Sequence, residues 1–171
     1  SPVIEGSNTG VRLSTAVADN YGDIGSNAVD LSYSDSSSSI NGATGESSTA
    51  MGWGTTASAT ASTAMGSGTT ASENYSTASG YFTKASGNAS TAMGNSTEAT
   101  GENSTATGLY TTANGANSTA MGESTTASGK SSTAMGNLTT ASDYGSLVIG
   151  QYNSSGSSVT GSATAFDTAN T

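Results

Sequence analysis

The chain contains no cysteine and no histidine, and only three of its 171 residues are basic. Without cysteine there is no disulfide framework, no thiol nucleophile and no cysteine-ligated zinc site. Without histidine, Ser-His-Asp and Cys-His arrangements are excluded as well. Arg12, Lys84 and Lys130 stand against twelve acidic residues, and the net charge of -9 repels nucleic acid and anionic lipid and leaves no basic patch to hold either. Apolar side chains are scarce too: 32% of residues are hydrophobic and 6% aromatic, too few for an ordinary layered core. Neither a long apolar run nor a secretion signal lies within the segment, so no membrane contact by this segment is expected. The abrupt ends suggest a piece of a longer chain.

What fills the chain instead is Gly, Ser, Thr and Ala, a composition that usually marks a disordered linker. Here these residues fall in strict columns, and disorder requires no columns. The pentapeptide STAMG starts at Ser48, Ser62, Ser90, Ser118 and Ser132, with STASG at Ser76, STATG at Ser104 and SLVIG at Ser146, all on one 14-residue period. A fixed short period is the mark of a solenoid, in which a coil buries little alone and must stack on its neighbours. Counting each lead Ser as position 0, position 4 is always glycine: Gly52, Gly66, Gly80, Gly94, Gly108, Gly122, Gly136 and Gly150. Position 2 is Ala50, Ala64, Ala78, Ala92, Ala106, Ala120 and Ala134, then Val148; position 9 is Ala57, Ala71, Ala85, Ala99, Ala113, Ala127 and Ala141. Position 7 is threonine from Thr55 to Thr139, whereas positions 5 and 6 and positions 11 to 13 vary widely.

Two constant segments alternating with two variable ones predict two short strands per coil joined by two turns. Strand alternation puts Ser, Ala and Gly of STAMG on one face and Thr and Met on the other. A coil this short encloses so little space that the small face is predicted to be the inside, lined by the two alanine columns, with the glycines on that face and at the coil turns. Met51, Met65, Met93, Met121 and Met135, with Ile149 in the same column, then form an apolar stripe along the outside. Soluble monomers rarely leave such a stripe wet. The simplest cover is other copies of the chain around a symmetry axis; the alternative is a wider coil with the methionines inside. Before the repeats, Val3, Ile4, Val11 and Leu13, then Val29, Leu31 and Tyr33, alternate like half-buried strands. Residues 1–42 therefore read as irregular lead-in or capping coils, 43–153 as the repeat roll, and 154–171 as an irregular end, with Val159, Ala165 and Phe166 suggesting one more strand.

Ser-x-Ala-x-Gly at this spacing, with alanine five residues after each glycine, resembles the YadA-like head repeat of trimeric autotransporter adhesins over about residues 43–153. The resemblance implies an all-β fold, a left-handed parallel β-roll (solenoid) in each chain, assembled as a homotrimer. It also implies display on a bacterial cell surface, anchored in the outer membrane through a C-terminal region absent from this segment. In that family Asn-Ser-Val-Ala-Ile-Gly is associated with binding extracellular matrix. Asn103-Ser104 and Asn117-Ser118 keep the leading Asn-Ser, but Thr replaces Val and Met replaces Ile in most copies, so the architecture transfers better than the ligand.

Nothing is spaced for catalysis. Glu46, Glu73, Glu98, Glu102, Glu123 and Asp143 occupy several different repeat positions and form no ladder of carboxylate pairs for acid/base work or calcium. Gly66-Ser67-Gly68 and Gly129-Lys130-Ser131 imitate nucleotide loops but lie inside the repeat, without the strand-to-helix context those motifs need. No cofactor and no metal are expected. The variable corners are the candidate ligand contacts, namely Trp53, Tyr81, Phe82 and Tyr110 with Asn103 and Asn117; Tyr75 and Tyr144 are also corner aromatics. The expected function is a non-enzymatic adhesin head whose partners are its own copies and host cell-surface or extracellular matrix molecules. The alternatives are a phage or other surface fibre with the same repeat and, less favoured, an ice-binding solenoid using the threonine columns at positions 1 and 7.

Overall fold

A computed structural model describes residues 2–13 and 18–155; Val159, Ala165 and Phe166 lie outside the described residues. Among the described residues the chain is a β-solenoid of two sheets, parallel except for one N-terminal hairpin, with no helix beyond a 3-10 turn at Ala18–Asn20. Each repeat contributes a five-residue strand, such as Thr49–Trp53, to an 11-stranded sheet and a two-residue strand, such as Thr56–Ala57, to a 9-stranded sheet. Because every coil has the same length, each residue pairs with its own counterpart one coil on: Ala50 with Ala64, Met51 with Met65, Ala57 with Ala71. Hydrogen bonds between coils run along both strands and continue through both turns, as in Thr49 N–H to Ser62 O at 2.9 Å, Gly68 N–H to Trp53 O at 2.8 Å and Tyr75 N–H to Thr60 O at 2.9 Å.

The interior is narrow. Both alanine columns are fully buried from Ala50 to Ala141, and the lead serines and position-7 threonines share the inside with them. The lead serine also closes the preceding turn. Ser62 Oγ donates to Ala59 O at 2.7 Å and Ser48 Oγ to Gly45 O at 2.7 Å, a local side-chain bond that favours serine over a larger residue there. Thr55, Thr69, Thr83, Thr97, Thr111, Thr125 and Thr139 are buried with no hydrogen-bond partner for the side-chain oxygen. An unpartnered buried hydroxyl costs about 1–3 kcal/mol. Replacing Thr97 by the isosteric valine is therefore expected to raise stability by about 1 kcal/mol, seen as a higher melting temperature; a fall would mean that the hydroxyls bond along their column.

The position-4 glycines differ from the sequence expectation on both counts. They lie within the long strand, as its fourth residue, and not in a turn; and they are half-buried or exposed, not inside with the alanines. The reason is their backbone. From Gly52 to Gly150 φ runs between +116° and +126°, which rotates the strand out of simple alternation after the alanine. A Cβ on Gly94 would lie 2.0 Å from the carbonyl oxygen of Gly108 in the next coil, so the glycine column lets neighbouring coils touch backbone to backbone.

The first coils extend the long-strand sheet. Strand β1 (Pro2–Glu5) forms an antiparallel hairpin with β2 (Asn8–Arg12), and β2 pairs in parallel with β3 (Val29–Tyr33), which stacks on Thr49–Trp53. This lead-in is wide enough to hold the fully buried Ile24. It also buries a charge cluster: Arg12 meets Asp30 at 3.0 Å and Glu5 at 2.7 Å, donates to Gly22 O at 2.8 Å, and lies over the Tyr21 ring at 5.0 Å. Paired and hydrogen-bonded in this way, the buried guanidinium escapes the penalty of an isolated charge.

Candidate functional site

The outward face of the long-strand sheet carries the threonine column at position 1 and the methionine column at position 3. Met51 and Met93 are 43% and 44% exposed, Ile149 is 53% exposed, and Met65, Met121 and Met135 are half-buried. All six point away from their own roll, so the wide-coil alternative with methionine inside does not describe this structure. The register runs Met51, Met65, Ser79, Met93, Thr107, Met121, Met135, Ile149, an apolar line broken only by two short side chains. Sequence reasoning missed one member. Leu31 pairs with Met51 and lengthens the line by one strand, but the loop between them is longer than a regular coil, so a search at the repeat period passes it by. Aligning Val-x-Leu-x-Tyr of residues 29–33 with Thr-x-Met-x-Trp of residues 49–53 would have found it.

The candidate ligand contacts fall on two different corners. Trp53, Tyr81, Phe82 and Tyr110 sit at positions 5 and 6, where each long strand turns toward its short strand, and all are about half exposed. Asn103 and Asn117 sit at position 13, in the turn leading back to a long strand, where Asn103 Nδ2 donates to Asn117 Oδ1 at 3.3 Å. The two groups therefore do not converge on one site. Tyr75 shares the asparagine corner. Both corners use left-handed backbone: φ is 49° at Phe82, 54° at Tyr110, 53° at Asn103 and 57° at Asn117. Asparagine tolerates that conformation; an aromatic residue holds it at a cost on the order of 1 kcal/mol.

The structure takes one of its two threonine columns from the ice-binding alternative, since the position-7 threonines are fully buried and only those at position 1 reach the surface. Among the described residues no three acidic side chains gather to hold a metal ion, and no helix is long and apolar enough to cross a membrane.

A family model described as the YadA head domain repeat, two copies per match, fits overlapping windows at residues 43–69, 57–83, 71–97, 85–111, 99–125, 113–138 and 127–153. No curated protein matches the chain significantly.

Proposed function

Since the chain belongs to the family of YadA head domain repeats, we propose that it is the non-enzymatic head of a trimeric surface adhesin, three left-handed rolls packed along their long-strand faces. The observation that carries this reading is the apolar line from Leu31 to Ile149, which faces outward along the length of the roll. Full burial of an exposed methionine contributes roughly 1.5–3 kcal/mol, and these are already more than half covered by their own roll, so association adds about half of that for each. Five in each chain give a gross gain on the order of the roughly 4–15 kcal/mol cost of association.

The rest of the surface fits a head held away from a bacterial cell, joined through a further C-terminal region to the outer membrane. Corner side chains vary from coil to coil while the interior does not, so contacts can change without disturbing the stack. Threefold copies of each corner make weak contacts additive in avidity. The expected partners are host cell-surface and extracellular matrix molecules. The test is binding of the purified chain to immobilised matrix proteins and to host cells. Saturable binding that weakens by about 100-fold when the assembly is dissociated is expected. An assembled head that binds neither surface would reduce this segment to a spacer.

A further inference from the structure

Over the five coils from Trp53 to Tyr110 the corner after each long strand alternates in chemistry; beyond them the alternation ends, with Tyr33 directly beside Trp53 and the Leu138 corner next to that of Tyr152. Large apolar side chains occupy it in one coil and small or polar ones in the next: Trp53, then Ser67 with Gly68, then Tyr81 with Phe82, then Asn95 with Ser96, then Leu109 with Tyr110. In-register pairing sets them in one line, Trp53 beside Ser67, Ser67 beside Tyr81, Tyr81 beside Asn95 and Asn95 beside Leu109. With about 4.8 Å between strands, the large corners recur about every 9.6 Å, the ring lying in this line at Trp53 and Tyr81 and one residue on, at Tyr110, beside Leu109.

Packing within the roll does not call for these rings. Phe82 and Tyr110 are 52% and 59% exposed. They hold the left-handed backbone that every coil adopts at this position, at Gly54, Gly68, Ser96 and Ser124 as well, so the turn itself asks for no ring. The rings are also set in place. Tyr81 and Phe82 pack edge to face with centroids 4.5 Å apart. The Phe82 ring lies over Gly68 of the preceding coil, where an added Cβ would come within 2.8 Å of it.

We propose that this ridge binds an extended, uncharged β-1,4-linked polysaccharide, one disaccharide to each pair of coils. In such a chain successive sugars are flipped, so equivalent faces recur every second sugar, at an advance comparable to two strand spacings. The C–H faces of alternate sugars stack on the electron-rich ring faces, and the hydroxyls of the sugars between them meet Ser67, Asn95 and Ser96. No basic residue lies in the corner line, and Glu123, its charged member, repels an anionic glycan. An α-1,4-linked glucan coils and cannot follow a straight ridge. The inference rests on the adhesin reading only in requiring that this corner face outward in the assembly.

Trp53 is the one tryptophan in the chain, so intrinsic fluorescence reports from the ridge itself. The intact chain is titrated with chitohexaose, cellohexaose and maltohexaose, beside a Phe82→Gly, Tyr110→Gly double variant that uses the residue found natively at Gly54 and Gly68. The expected result is a saturable shift with at least one β-linked hexamer and none with maltohexaose. Affinity should fall at least tenfold in the double variant, with native mass and melting temperature maintained. No response to either β-linked hexamer, an equal response to maltohexaose, or unchanged affinity in the variant would overturn the proposal. So would a drop in the variant's native mass, which would make the corner a subunit contact. Loss of glycan binding in a chain that still assembles leaves the adhesin head standing. A parent chain that does not assemble refutes the head and leaves the ridge to be judged by the titration.

Discussion

Gly94→Ala is expected to lower the melting temperature by roughly 10 °C or more, from a loss of about 4 kcal/mol in a domain of this size. Alanine at φ +126° is strained, at roughly 1–3 kcal/mol. Its Cβ would also sit 2.0 Å from Gly108 O. That oxygen belongs to the backbone of a paired strand and cannot swing aside, so the coils must separate, and ladder hydrogen bonds on both sides stretch at about 1 kcal/mol each. In a stack held only by neighbours, damage in the middle coil divides the rod, so amide exchange should speed up from Thr91 outward in both directions. Gly145→Ala is the control. Its φ is also positive, at 64°, but nothing lies within 4 Å of the added carbon. A loss on the order of 1 kcal/mol is expected there. Equal effects at the two sites would show that backbone strain alone, without coil contact, explains the glycine column.

The second large effect concerns assembly. Replacing Met93 and Met121 together by aspartate leaves each roll's interior untouched, because both side chains point out of it. In the proposed trimer the same change places six carboxylates along a closed apolar axis. Burying even one unpaired charge costs several kcal/mol, so the variant should be a folded monomer: an unaltered far-ultraviolet circular dichroism spectrum with about one-third of the native mass. An assembly of unchanged mass would mean that a different face holds the chains together.

Much of this architecture is legible in the sequence because parallel in-register stacking repeats one environment at every coil, and each column then reports that environment many times over. The buried alanines and the outward methionines can be read in this way. Strand alternation misleads at the residue after Met51, because it assumes extended backbone throughout and Gly52 departs from it at φ +116°. The position-7 threonines look like surface residues by type, and only the closed coil shows that their invariance reflects burial. Arg12 is a similar case. It stands 18 positions before Asp30, a spacing that differs from the 14-residue repeat, so no fixed period brings the two together. The alternating corner escapes notice for a different reason: it runs over only the five coils from Trp53 to Tyr110, and a column inspected for constancy registers it only as variable.

The central claim is that the outward methionine line is covered by other copies of the chain, and the native mass in solution tests it most directly. Light scattering on a sizing column should give three times 16.5 kDa, independent of loading concentration over the micromolar range. A folded species of 16.5 kDa, with the methionines open to solvent, would contradict it.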